Sequence, residues 1–277
     1  MNVGVLHPGA MGATVAHALA ANGHRVFWIH ASRSAQTRSR AEAAGAEGCA
    51  SLGDLCDRSE VIVSVCPPES AGKLAEEVAA HGFSGLYADV NAIAPQRATE
   101  ISKHFPGRYV DGGIIGPPAV TRDTTRLYLS GPRAREVHQL FDQSALEPVV
   151  MTDDETAASA LKMCYASWTK GSAALLLNTR ALAEALGIGD SLEEEWARSQ
   201  AGTLERANAT IAGTAPKAWR FTGEMDEIAA TFAAADLPDG FHRGAADFYE
   251  RLAGFKDQNE VSLSDMLELL AQARQSD

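Results

Sequence analysis

Val3-Gly4-Val5-Leu6-His7-Pro8-Gly9-Ala10-Met11-Gly12 decides the fold. A short apolar run ends in a turn carrying proline and glycine, and an alanine-rich helical stretch follows to about Ala21, where Asn22-Gly23 stops it. With no Cβ at Gly9 the backbone can approach a pyrophosphate, and the helix N-terminus supplies unpaired N–H groups and the positive end of a dipole. Gly12 permits close packing of helix on strand. His7 stands where the G-x-G-x-x-G fingerprint has its first glycine, so the turn alone also fits a purely structural strand-to-helix connection. His7, Pro8, Gly9, Ala10, Met11 and Gly12 form the candidate phosphate cradle.

A second strand, His24 to Ile29, arrives at the spacing a dinucleotide-binding unit requires. After it an NAD enzyme usually presents an acid to the ribose hydroxyls, whereas this chain reads His30-Ala31-Ser32-Arg33-Ser34-Ala35-Gln36-Thr37-Arg38. Hydroxyls of Ser32 and Ser34 and guanidiniums of Arg33 and Arg38 suit a 2′-phosphate, which favours NADP (NADPH) as cofactor. The alternative is that Arg33, Arg38 and Arg40 form the solvated face of a helix.

Further strands are expected at Val61–Val65, Leu86–Ala88, Tyr109–Val110, Leu127–Leu129 and Val149–Met151, most of them separated by helical stretches. Such apolar strands belong to a parallel sheet covered on both faces. The fold class is therefore α/β, with an N-terminal doubly wound Rossmann sheet. At Thr152-Asp153-Asp154-Glu155 the pattern changes to a capping signal and a long helix from about Glu155 to Leu186, ended by Gly187 and Gly189. The expected domains are 1–152, binding NADP, and 153–277, an all-α substrate and dimerisation domain opening with that helix. Two turns at strand ends carry further candidates for the cofactor site: Cys66, Pro67 and Pro68, and Asn91, which is equally at home as a turn former.

The chain has 277 residues, 45% hydrophobic, enough for a sizeable core. A formal net charge of -12 argues against nucleic-acid or anionic-membrane partners, which call for a basic face. Cys49, Cys56, Cys66 and Cys164 form no C-x-x-C pair, so neither zinc nor a disulfide framework is expected, and no histidine pair has metal-ligand spacing. Residues 2 to 24 carry no Asp, Glu, Lys or Arg, and they read as neither a signal peptide nor a membrane span. A cytoplasmic protein is expected.

With its Gly-x-Met-Gly turn, Cys-Pro-Pro turn, strand ending Asp111-Gly112-Gly113-Ile114-Ile115-Gly116-Pro117 and a lysine early in the long helix, the chain resembles the β-hydroxyacid dehydrogenase and 6-phosphogluconate dehydrogenase superfamily, which includes imine reductases. The resemblance implies hydride transfer between nicotinamide and a carbonyl or imine carbon of a small-molecule substrate. It implies Lys162 as acid–base residue; Tyr165, three residues on, is the second catalytic candidate by helical spacing. The hydroxyacid dehydrogenases carry Ser-Gly-Gly after the aspartate and an asparagine four residues after the lysine. Here those places are held by Ile115 and Ala166. The Asp-Gly-Gly-Ile-Ile-x-x-Pro segment is as similar to imine reductases, which have Asp or Tyr in place of the lysine.

Helical spacing sets Tyr165 and Thr169 on one face with Lys162, and Lys170 on an adjacent one. Gly113, Ile114, Ile115, Gly116, Thr169 and Lys170 are the candidate substrate contacts. Snorkelling lysines at a domain edge are the alternative for the helix. Trp168, Trp196 and Trp219 are candidate pocket or core residues, and His242, Arg243 and Asp247 candidates for a site completed by a partner subunit. The expected function is NADPH-dependent reduction, or the reverse oxidation, of a small carbonyl or 3-hydroxy-acid-like substrate. Imine reduction is the runner-up, and a catalytically silent NADP-binding regulator is the rival from another class. A homodimer through the helical domain is expected.

Overall fold

The computed structural model describes residues 1–256, 258 and 260–273; the last four residues of the second expected domain lie outside the described residues. The chain divides into two compact units, Met1–Met163 and Cys164–Asp277. This boundary falls inside the long helix rather than at residue 152, because the first turns of that helix pack with the sheet.

In the first unit β1 (Asn2–Leu6), β2 (Arg25–Ile29), β3 (Glu47–Cys49), β4 (Val61–Ser64), β5 (Leu86–Asp89), β6 (Tyr109–Ile115), β7 (Thr125–Ser130) and β8 (Leu146–Val150) form one sheet in the order β3-β2-β1-β4-β5-β6-β7-β8. Between them run α1 (Ala10–Ala21), α2 (Ala35–Ala43), α3 (Leu52–Arg58), α4 (Pro68–Ala80), α5 (Pro95–Ser102) and α6 (Ala134–Gln139). The order 3-2-1-4-5-6 is that of the doubly wound dinucleotide-binding fold. Two buried apolar clusters are built on the sheet, one including Val3, Val5 and Val63 and the other Leu6, Phe27 and Ile62. Neighbouring residues of one strand thus serve both clusters, as the near-continuous apolar strands require.

The expected all-parallel pattern breaks once. β6 and β7 pair antiparallel, with Asp111 opposite Ser130. Only residues 116–124 join them, too few for the crossover that parallel strands need. β3 was not foreseen: Glu47-Gly48-Cys49 has a single apolar residue and sits at the sheet edge.

The long helix, α7, runs Ala157–Ala185, about 43 Å at 1.5 Å per residue. Gly171 does not interrupt it. Gly187 ends it with φ +69°, while Ile188 N–H donates to the Ala183 carbonyl, the 6→1 closure of a Schellman motif. The second unit continues with α8 (Gly189–Ser199), α9 (Thr203–Thr214), α10 (Ala218–Ala234), α11 (Gly240–Arg251) and α12 (Leu263–Ala273). Among the described residues no helix is long and apolar enough to cross a membrane, no group of His, Cys, Asp and Glu could hold a metal ion, and all four cysteines are free.

Candidate active site

His7 keeps the backbone of the glycine it replaces. Its φ is +62°, the left-handed region that glycine enters freely and histidine enters at a cost of about 1–2 kcal/mol. Gly9 N–H turns back onto the His7 carbonyl at 2.7 Å, and α1 starts at Ala10 with no acid in its first turn. A Cβ on Gly12 would collide with the His7 carbonyl oxygen, so helix and turn touch there. A Cβ on Gly9 would meet nothing within 4 Å, which leaves open space beside the backbone at the helix N-terminus. Burial, and after it the Arg33 guanidinium, push the His7 imidazole down to about 4, and its Nδ1 has no hydrogen-bond partner among the described residues.

Arg33 and Arg38 have no ion-pair partner among the described residues, and Ser32 is exposed with φ +58°. Ser34 is the N-cap of α2, its Oγ accepting from Thr37 N–H at 3.2 Å. The expected phosphate ligands therefore include one residue with a structural duty. Open space over Gly9, a helix N-terminus without an acid and two uncommitted guanidiniums suit a dinucleotide that carries an extra phosphate.

At the end of β4, Pro67 caps α4 and Pro68 opens it, as fixed φ at a first helical position favours. Asn91 is buried and holds this turn: its Oδ1 accepts from Cys66 N–H at 2.5 Å, and its Nδ2 donates to Ser64 Oγ at 3.0 Å. The turn-forming reading of Asn91 is the one its bonds support. Burial, then the nearby Asp89 carboxylate, push the Cys66 thiol up to about 12, so it is no nucleophile at neutral pH.

The end of β5 and the middle of β6 carry two acids that the sequence alone does not single out as site residues. Asp89 and Asp111 are register neighbours, both fully buried, flanked across the sheet by Ser64 and Ser130. Burial pushes Asp89 up to about 7 and Asp111 up to about 6. Asp111 is held toward ionisation by the hydroxyl and amide of Ser159 and the hydroxyl of Ser130. Asp89 accepts one bond, from Asn91 N–H, and its Oδ2 has no partner among the described residues. Of the two, Asp89 keeps its proton to the higher pH. The signal was present in the sequence as a lone acid at the end of each of two apolar runs.

Lys162 lies in the first unit, partly buried, its Nζ donating to the Ile114 carbonyl at 2.8 Å. Gly113 makes this approach possible, since a Cβ there would stand 3.0 Å from Lys162 Cβ. Ile114 and Ile115 are buried, and Gly116, with φ +132°, packs against Thr124 and Thr125. The structure thus brings Lys162, Gly113 and Ile114 together and gives Gly116 a packing role.

Three other candidates lie in the second unit. Tyr165 is 48% exposed. Thr169 turns its hydroxyl onto its own helix, at 3.1 Å from the Tyr165 carbonyl. Lys170 forms an ion pair with Glu224 at 2.7 Å and lies over the Phe221 ring, so its charge takes part in packing between α7 and α10. His242 is buried beside Ser167 and Phe232, with Nε2 3.3 Å from the serine Oγ, and Arg243 is paired with Asp239. Trp196 is buried, Trp219 is 38% exposed and Trp168 is 76% exposed.

Residues 2–86 match the family described as NADP oxidoreductase, coenzyme F420-dependent, and residues 183–252 match a domain of unknown function, DUF1932. An uncharacterised 28.5 kDa protein of Methanothermus fervidus is 29% identical over 163 residues, 58% of this chain, and the match spans a little under two thirds of that relative, 63%. Among solved structures, a conserved protein of unknown function, described as structurally similar to 3-hydroxyacid dehydrogenases, is 26% identical with TM-score 0.66, covering 94% of this chain and 100% of its own. A 3-hydroxyisobutyrate dehydrogenase of Salmonella typhimurium (17% identical, TM-score 0.71, 97% and 99% covered) has the same fold. So does an imine reductase of Streptomyces aurantiacus (19% identical, TM-score 0.51, 98% and 99% covered). The first part of the chain thus matches an NADP oxidoreductase family, and its whole length has the fold of the 3-hydroxyacid dehydrogenases and imine reductases.

Proposed function

We propose that the protein is an NADPH-dependent oxidoreductase of a small carbonyl or 3-hydroxy-acid-like substrate, with Lys162 as its general acid–base group. The observation that carries this reading is the lysine at β6: a partly buried ammonium fixed at the carboxyl end of a dinucleotide-binding sheet, the place where such sheets bind ligands. The bound cofactor supplies or accepts hydride. Gly9 and the N-terminus of α1 would hold its pyrophosphate, and Ser32, Arg33 and Arg38 its 2′-phosphate. Lys162 stabilises the developing oxyanion and delivers the proton, the Ile114 carbonyl holding its Nζ ready until substrate arrives. Tyr165 is the second candidate for proton delivery.

Imine reduction remains the alternative that Ile115 and Ala166 favour, since neither offers the polar contact a substrate carboxylate needs. Incubation with NADPH and a panel of ketones, 3-oxo acids and cyclic imines, followed at 340 nm, separates the readings. Oxidation of NADPH with carbonyls supports the first and oxidation with imines alone the second. Tight binding of NADPH with oxidation by none supports the regulator.

A homodimer is supported by the exposed apolar face of α7: Trp168, Leu175, Leu182 and Leu186, each more than half exposed, recur at intervals of seven, seven and four residues. Leu182→Asp is expected to halve the mass seen by light scattering. The free cysteines support a reducing compartment such as the cytoplasm.

A further inference from the structure

The first turn of α7 is bonded to the sheet. Ala158 and Ser159 are its second and third residues, and their N–H groups are among those that no helix satisfies internally. The sheet satisfies both. Ala158 N–H donates to Ser130 Oγ at 3.0 Å, Ser159 N–H to Asp111 Oδ2 at 2.8 Å, and the Ser159 hydroxyl to Asp111 Oδ1 at 2.5 Å. Ser130 in turn donates to Asp111 Oδ2 at 3.2 Å. Three residues further along each element Lys162 Nζ meets the Ile114 carbonyl, and between the two contacts Gly113 keeps the backbones flush: a Cβ there would stand 2.9 Å from the Ala158 carbonyl oxygen.

We propose that Asp111, acting through Ser159, is the positioning residue that fixes the rotation and axial place of the first turn of α7, and thereby the place of the Lys162 ammonium. An ionised carboxylate suits this task because one side chain accepts from both the amide and the hydroxyl while its charge faces the positive end of the helix. The titratable groups facing it are Asp89 from β5 and Tyr109 from β6. The proposal rests on Lys162 being the acid–base group, but its test does not.

The test is acetylation of Lys162 by acetic anhydride in the full-length protein, read by mass spectrometry across pH 6–10, in wild type, Asp111→Asn, Ser159→Ala and Ser159→Thr, with thermal melting alongside. Asp111→Asn and Ser159→Ala are expected to move the midpoint of the Lys162 profile by half a pH unit or more, about threefold in rate at fixed pH. Ser159→Thr is expected to restore it. Lower melting temperatures with an unchanged Lys162 profile in both variants would overturn the proposal, leaving Asp111 a helix cap only. Should Asp111→Asn fail to fold, Ser159→Ala decides alone. A Lys162→Met variant with undiminished turnover would sink the acid–base reading, an outcome separate from the labelling result.

Discussion

Buried charge is handled differently in the two units. In the helical unit Lys170 meets Glu224 at 2.7 Å, and the fully buried Arg180 meets Glu193 at 2.5 Å and Glu184 at 3.4 Å. In the sheet unit Asp89 and Asp111 sit side by side on neighbouring strands, and burial lifts both well above the ordinary carboxylate range. Opposite charges set against each other mark architecture. Two carboxyls crowded on neighbouring strands, one of them on the strand whose Ile114 carbonyl holds a lysine, mark the place where chemistry is expected.

The contrast breaks most severely at the glycine turn. Gly12→Ala is expected to weaken NADPH binding by more than about 100-fold in calorimetry, because the new methyl strikes the His7 carbonyl and displaces α1. Gly9→Ala is the sharper control: open space receives its methyl, so the melting temperature should hold while NADPH affinity falls.

Asp89 is next. Its pKa is raised in the folded protein, so between about pH 4 and 7 the folded state binds more protons than the unfolded state, and stability falls as pH rises through that window. Asp89→Asn should add on the order of 2–4 kcal/mol in urea unfolding at pH 8 and little at pH 4. An equal gain at both values would mean that Asp89 is ionised when folded.

Arg33→Ala should narrow the preference for NADPH over NADH by about 10- to 100-fold, the value of a charge-assisted phosphate contact. The smallest catalytic effect belongs to the helical unit. Lys170→Met removes the ion pair with Glu224 and should lower the melting temperature by several degrees, with turnover within about threefold of wild type.

Much of the sheet unit was legible because each buried parallel strand is a local apolar run and each turn at a strand end has its own residues. What escaped was settled by distant partners. Thr152 and Glu155 look like the cap of a long helix, yet α7 starts at Ala157 because Asp111 and Ser130 reach its amides from β6 and β7. His7 looks like a lost glycine, yet the turn holds it at positive φ. Lys170 looks like a partner of Lys162 from spacing alone, and only the fold shows Glu224 against it. Asp89 and Asp111 were visible as acids, but their neighbourhood depends on strand order, which no local pattern encodes.

The central claim is that the lysine of the sheet unit, and not that of the helical unit, moves the proton. It is tested most directly by the turnover number of Lys162→Met at saturating NADPH on the best carbonyl substrate, with NADPH affinity measured in parallel. The account predicts a fall of about 100-fold or more with affinity unchanged. Turnover equal to wild type would contradict it.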